Sequence, residues 1–268
     1  MPGEVDLYNN AYANYETDLY REIRVATYGA DLGQTSWVTA QESNEIPQLL
    51  GLTPTSYVLE IGCGSGRYAL QVAETVGCRV LGVDINGPGI RNAIQLAAVR
   101  DRPVPVRFQQ CDVSRELPFG GAIFDAAFAN DVLCHVPGRL QVLRELSRVL
   151  KPGGRLLFSD ALIIGGMVTH EEIALRSSIG YYIFTPPGEN ERLLAQAGLC
   201  LLRVSDTTEN AAGIAHRWQD ARAKKREALV AAEGEATFDG LQRFLSCVAT
   251  LTSERRLLRY VYLAEKGA

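Results

Sequence analysis

The stretch Val58-Leu-Glu-Ile-Gly-Cys-Gly-Ser-Gly-Arg67 decides how this chain is read. A short apolar run opens directly onto three glycines at alternate positions, and the segment Arg67 to Val76 follows with helical spacing of its apolar residues. That is a strand, a turn and a helix. Glycines in such a turn keep side chains away from the main chain, so a nucleotide-like ligand can meet backbone N–H groups and a helix N-terminus. The next apolar strand, Arg79 to Val83, ends at Asp84, about twenty residues on, where a carboxylate accepts from ribose hydroxyls. Gln110-Cys-Asp112-Val113 closes a third strand and adds a carboxylate where an adenine amino group would lie. Arg67 stands where a dinucleotide fingerprint wants its third glycine, and Glu60 would repel a pyrophosphate but could pair with the ammonium of an amino-acid portion. The combination suits an adenosine that carries a cationic amino acid, as S-adenosyl-L-methionine does.

Working outward, short apolar strands alternate with amphipathic helices, the pattern of a parallel sheet covered on both faces. Strands are predicted at Tyr57 to Ile61, Arg79 to Val83, Val104 to Phe108, Phe124 to Ala129 and Arg155 to Ser159. A helix from Gly89 to Val99 and one striped by Leu140, Leu143, Leu146 and Leu150 lie between them. Lys151-Pro-Gly-Gly154 is predicted to stop the latter, since proline cannot continue a helix. Further on, Glu171 to Ser178 and Glu189 to Ala197 read as helices, and Leu199 to Val204 and Leu257 to Ala264 as strands. A long helical stretch from Ala211 to about Thr250 is too long for a connector and is expected to cap one end of the sheet. The tyrosine-rich start (Tyr8, Tyr12, Tyr15, Tyr20, Tyr28) reads as a helical lid over the same end. The expected organisation is a lid over 1–50, a ligand-binding α/β core over 51–204, a helical cap over 205–252 and the last strand of the core over 253–268.

Composition narrows the partners. With 268 residues, nearly half of them apolar, the chain can bury a full core. A net charge of −4 and a longest basic run of Lys224-Lys-Arg226 give no nucleic-acid or anionic-membrane signature. No apolar run reaches the roughly 20 residues of a bilayer span, and Met1-Pro-Gly-Glu-Val-Asp6 does not read as a leader, so a soluble cytoplasmic protein is expected. Six scattered cysteines and three histidines lack metal-ligand spacing; no metal is expected, and the cysteines read as small buried hydrophobes.

Glu60-Ile-Gly-Cys-Gly-Ser-Gly66, Asp84, Asp112 and the block from Phe124-Asp-Ala-Ala-Phe128 to Lys151-Pro-Gly-Gly-Arg155 resemble the class I S-adenosylmethionine-dependent methyltransferases over residues 57 to about 160. The resemblance implies a doubly wound, seven-stranded, mostly parallel Rossmann-like sheet with an inserted antiparallel last strand, a helical lid and a helical cap before that strand. It implies a cofactor site at Glu60, Gly62, Gly64, Gly66, Asp84, Ile85, Asp112, Val113 and Asn130, with lid residues Gln34 and Trp37 touching the methionine end. Asp131 and His135, four apart after the fourth strand, would share one face of a helical turn. A histidine is suited to take the proton that an alcohol or ammonium acceptor must lose. The Asp-x-x-x-His spacing is similar to that of the phosphoethanolamine and sarcosine/dimethylglycine methyltransferases, and in the phosphoethanolamine type a lid tyrosine works with this histidine, which nominates Tyr15. Ala129-Asn130 departs from the Ser-Gln or Ser-Arg common before that aspartate.

The expected activity is methyl transfer to nitrogen or oxygen of a small metabolite, by a monomer or homodimer. A carbon methyltransferase of natural-product biosynthesis, with Glu171 or Glu172 as proton acceptor, is the competing enzyme reading; a non-catalytic cofactor-binding protein and a nicotinamide dehydrogenase are the others. Of His170, Glu171, Glu172, Arg176, His216 and Arg217, about two are expected to face a pocket. Tyr181-Tyr-Ile-Phe184 could offer aromatic faces to a cationic amine.

Overall fold

A computed structural model describes residues 11–33 and 35–267. The N-terminal segment, expected to be a lid, contains α1 (Asp18–Tyr28) and α2 (Ala40–Leu50). Helix α2 opens on a capping box, in which Thr39 accepts from the Glu42 N–H and the Glu42 carboxylate accepts from Thr39. Then follow β1 (Tyr57–Ile61), α3 (Arg67–Val76), β2 (Arg79–Asp84), α4 (Gly87–Ala98), β3 (Val106–Gln110), β4 (Phe124–Ala129), a 3₁₀ turn (Leu133–His135), α5 (Arg139–Val149) and β5 (Leu150–Ile164). The second half runs α6 (His170–Arg176), α7 (Glu189–Gln196), β6 (Leu199–Asp206), α8 (Thr208–Ala223), α9 (Arg226–Glu233), α10 (Glu235–Ser253) and β7 (Leu257–Lys266).

Seven strands form one sheet in the order β3-β2-β1-β4-β5-β7-β6, with β7 antiparallel to both its neighbours. This is the expected topology. Val58, Leu59 and Ile61 of β1 are fully buried because the strand has helices on both faces, which is why it reads as continuously apolar. One apolar cluster joins Leu143, Leu146 and Leu194 to Leu59 and Phe124; the other joins Ile46, Leu50 and Val72 to Val58, Val80 and Phe128. A third gathers Tyr20 and Ile23 of α1 with Trp37, Ile214, Trp218 and Phe244, so lid and cap share one core. Arg217 of α8 donates to the Thr27 carbonyl of α1 at 2.7 Å, and Tyr20 donates to Glu233 at 2.6 Å.

Three expectations shift. The cap is three helices, broken at Lys224–Lys225 and at Gly234, which sits at φ 83°. The fifth strand starts at Leu150 and runs to Ile164, well beyond Arg155 to Ser159, because its pairing with antiparallel β7 reaches Ile164. Helix α5 has already ended at Val149, so Pro152 and the following glycines form a bulge in β5 between the pairs Phe124↔Leu150 and Ala126↔Arg155.

Gly66 begins α3 at φ 77°, and a Cβ there would fall 2.4 Å from the Phe108 ring and 2.7 Å from the Ala93 Cβ. It is the contact that lets α3 lie against β3 and α4. Gly66→Ala is expected to destabilise the fold by about 1–3 kcal/mol through overpacking and by roughly 1–2 kcal/mol more through the left-handed backbone. Urea unfolding measures this, and an unchanged midpoint would contradict the packing account.

Candidate active site

The carboxyl ends of β1, β2, β3 and β4 open into a cavity of about 570 Å³. At one end it is floored by Gly62, Cys63 and Gly64, flanked by Asp84, Ile85, Asp112 and Val113. Its two glycines have no room for a side chain: a Cβ on Gly62 would sit 2.3 Å from Val132, and one on Gly64 would sit 2.4 Å from the Tyr12 hydroxyl. Asp84 accepts from the Gly64 N–H at 2.8 Å and the Asn86 N–H at 2.7 Å, which locks the turn to β2. Burial raises its carboxyl above the ordinary value. Asp112 accepts from the Ser114 N–H and hydroxyl at 3.0 and 2.6 Å, bonds that hold it below the ordinary carboxyl value. Asn130 lines the same cavity with a buried Nδ2 that has no hydrogen-bond partner among the described residues. A bare turn, two carboxylates and an orphaned amide donor fit an adenosine-bearing amino acid.

The other end of the cavity is walled by His135, Tyr182, Arg176, Trp37, Trp218 and Phe244. The His135 Nδ1 lies 3.2 Å from the Tyr181 carbonyl oxygen. A carbonyl only accepts, so Nδ1 carries the proton and Nε2 is the basic nitrogen of the neutral ring. Burial, and then the nearby Arg176 cation, pull the imidazole down from 6.5 to about 4, against the smaller opposing pull of the Tyr181 bond and two carboxylates. At neutral pH it is uncharged. A second buried network holds the turn beneath it: Arg139 donates to Asp160 at 2.5 Å, Thr185 at 2.8 Å and Asn190 at 2.6 Å, with Asn190 also bonded to Asp160.

Residues 59–158 match the methyltransferase domain family. A 27-O-demethylrifamycin SV methyltransferase from Amycolatopsis mediterranei (strain S699) is 28% identical over 273 residues, spanning 99% of this chain and 97% of that one. An O-methyltransferase from Aspergillus sclerotiorum is 29% identical over 64% of this chain, a match that covers 65% of its own length. The fold superposes on phosphoethanolamine N-methyltransferase 2 from Haemonchus contortus, solved with phosphomonomethylethanolamine and S-adenosylhomocysteine, with a TM-score of 0.81 at 20% identity over 97% of this chain and 60% of that chain. Over residues 59–158 the chain carries a domain of the methyltransferase family, and the relatives it resembles over most of its length are methyltransferases.

Within this methyltransferase the candidate residues divide. Gly62, Gly64, Asp84, Ile85, Asp112, Val113, Asn130 and Trp37 all line the cavity. Gly66 serves helix packing, and Gln34 lies outside the described residues. Glu60 does not line the cavity: it is 1% exposed, turned to the Ala69 N–H of α3, and its carboxyl is pushed well above the ordinary value by burial. Tyr15 is 3% exposed and accepts from Arg67 at 2.6 Å, with the Arg24 guanidinium 4.4 Å from its ring centre; it anchors the lid from behind and is not part of the cavity wall. Among the described tyrosines of the N-terminal segment, Tyr12 lines the cavity.

Asp131 lines the cavity but does not share a helical face with His135, because only a 3₁₀ turn forms and Asp131 precedes it at φ 56°. Its carboxylate is fully engaged. It accepts from the Trp37 N–H at 2.8 Å, the Ser159 hydroxyl at 2.7 Å and Arg259 Nε at 2.9 Å, while Arg259 also donates to Glu42 at 2.6 Å and Thr207 at 2.7 Å. Of the six polar residues considered beyond β5, Arg176 alone lines this cavity. Glu172 is spent on Arg256, with two 2.7 Å bonds, and on the cap of α6; Glu171 is exposed. Neither stands where a carbon-methylating base is needed. Trp218 and Phe244 carried no sequence signal, since they reach the site only through packing of the cap.

Arg259→Leu leaves the Asp131 carboxylate buried without its cation, so a loss of about 3–5 kcal/mol is expected, together with weaker S-adenosylmethionine binding because Trp37 loses its anchor. Urea unfolding and calorimetric titration of the cofactor check both, and a variant with wild-type stability would refute the clamp.

Proposed function

We propose that the protein transfers the methyl group of S-adenosylmethionine to a hydroxyl of a small, largely apolar molecule, with His135 as the group that receives the hydroxyl proton. The observation that carries this reading is the continuity of one cavity from the glycine turn to a neutral histidine, through a wall of aromatic rings. Bound at the glycine end, S-adenosylmethionine presents an electrophilic methyl on a cationic sulfur. Gly62 and Gly64 give its nucleoside the bare backbone it needs, Asp84 accepts from ribose hydroxyls, Asp112 bounds the adenine side, and the Asn130 amide and Trp37 hold the amino-acid end.

His135 meets the requirements of a general base in this setting. Its tautomer is fixed by the Tyr181 carbonyl, its ring is neutral well below physiological pH, and the Arg139 network holds its turn through the Leu133 carbonyl at 3.4 Å. Oxygen is favoured over an amine because the aromatic faces that would embrace an ammonium are already turned to the Arg176 guanidinium. The relative matched end to end is, by its name, a methyltransferase of an O-demethylated rifamycin, which supports a hydroxyl on a natural product of this kind. The net charge of −4 argues against nucleic acid as acceptor. All six cysteines are unpaired, which suits a reducing compartment such as the cytoplasm, and among the described residues no helix is long and apolar enough to cross a membrane.

Loss of the base is expected to cost about 10²–10⁴ in kcat. His135→Ala should therefore lower turnover by that range while S-adenosylmethionine affinity is kept. In the parent enzyme, kcat/KM should fall with decreasing pH only toward about 4, the value of the buried imidazole, rather than near 6.5. Methyl transfer followed by mass spectrometry across a pH series tests this. Full activity in His135→Ala, or an acid limb near 6.5, would reject His135 as base.

A further inference from the structure

Five arginine side chains in this protein are almost fully buried, and four have carboxylate partners. Arg24 pairs with Asp31, Arg139 with Asp160, Arg222 with Glu233 and Arg259 with Asp131 and Glu42. Arg176 does not. It is 1% exposed, makes no hydrogen bond or ion pair among the described residues, and its Nη1 is buried without a partner. It sits at the last position of α6, with its guanidinium 4.5 Å from the Tyr182 ring centre, 5.1 Å from that of Phe244 and 5.9 Å from that of Trp37.

Aromatic faces stabilise a guanidinium but cannot accept its in-plane N–H bonds. A buried cation with unused donors is unfavourable unless an anion arrives to take them. The place where one can arrive is fixed, since Arg176 lines the cavity and shares the Tyr182 ring with His135, whose ring centre is 4.3 Å from it. Asp131 and Asp160, the two carboxylates that act on His135 at this end of the cavity, are already committed to Arg259 and Arg139.

We propose that Arg176 is the specificity residue of the acceptor site and that it receives an anionic oxygen group of the acceptor, so that this methyltransferase selects acidic molecules over neutral ones. The inference rests on the methyltransferase reading and adds the charge of the acceptor to it. A planar fork of donors between aromatic faces suits a carboxylate bound edge-on, and it also accommodates a phosphate monoester or an ionised phenol. Each brings the negative charge next to the neutral imidazole, where it offsets both Arg176 and the sulfonium of the cofactor.

The test is calorimetric titration of the protein saturated with S-adenosylhomocysteine, using benzoate, phenyl phosphate and 4-nitrophenolate against benzamide and benzyl alcohol. Trp37 and Trp218 are the two tryptophans of the chain and both line the cavity, so quenching of their fluorescence gives a second readout. At least one anion is expected to bind 10-fold or more tightly than the neutral probes, and which one does so distinguishes carboxylate, phosphate and phenolate sources. In Arg176→Met that preference should shrink below 3-fold, with S-adenosylhomocysteine affinity within 3-fold of the parent; Arg176→Lys should keep part of it. Equal binding of anions and neutral probes by the parent protein, or a preference that survives in Arg176→Met, overturns the proposal. The parent titration decides alone if the methionine variant does not fold. Failure of the parent protein to bind S-adenosylhomocysteine would instead overturn the methyltransferase reading itself.

Discussion

The ion pair between Arg259 and Asp131 is the constraint on which the site depends. Arg259 comes from β7 and Asp131 from the end of β4, 128 residues apart, and the strand between them contributes the Ser159 hydroxyl that bonds the same carboxylate. Through its other nitrogen Arg259 reaches Glu42, the residue that caps α2, and Thr207, which precedes α8. The Asp131 carboxylate in turn takes the backbone N–H of Trp37. One guanidinium therefore registers the sheet, the lid and the entrance to the cap against one another. Buried charges of this kind add little net stability over an apolar replacement, but removing one partner is severe. Their effect here is positional: the chain reverses at Asp131 in a left-handed conformation that a bulky side chain would not adopt unaided, and the carboxylate bonds hold it there.

Geometry follows from that reversal. With Asp131 turned toward β7, the next residues fold into a single 3₁₀ turn that delivers His135 to the cavity, and Val132 packs onto the Gly62 floor. The turn is then held from below by Arg139, whose partners come from β5, the segment after α6 and the start of α7. Two buried guanidinium networks thus adjoin the turn of the candidate base, one using Ser159 and the other Asp160 of β5, and each carboxylate in them is bonded to an arginine. Desolvation dominates its protonation as a result, which keeps it neutral.

What could be read from the sequence was whatever the chain settles locally. The glycine turn, Asp84 and Asp112 sit at strand ends whose spacing is dictated by the strand–helix repeat, so their arrival at one edge of the sheet was foreseeable. The last strand and the cap were visible as a change of rhythm after β5, and the antiparallel direction of that strand was implied by the family resemblance alone. Residues whose role depends on partners far along the chain were not legible. Glu60 was placed by charge logic at the ligand, yet its side chain points into the α3 side of β1, because alternation along a strand sends it away from the crevice. Asp131 could be read only as a neighbour of His135 on a shared helical face, because Arg259 gives no local sign of reaching it. Tyr15 and Tyr12 differ by less than one helical turn, and which of them faces the cavity depends on where Arg24 and Arg67 clamp the lid.

The electrostatics of the acceptor end separate this cavity from one built for amines. An amine acceptor enters such a site as an ammonium, and its stabilisation would come from aromatic faces and from carboxylates with spare acceptor capacity. Here the Tyr182 and Phe244 faces meet a guanidinium, and the nearby Asp131 and Asp160 are each held by an arginine. Adding a second cation, with the sulfonium of the cofactor as a third, would place like charges together in a region from which water is largely excluded, where repulsion is least screened. A neutral hydroxyl acceptor avoids that repulsion but leaves the Arg176 donors unused. An acceptor with an acidic oxygen relieves both problems at once, because it takes up the Arg176 donors and adds no further cation to the site.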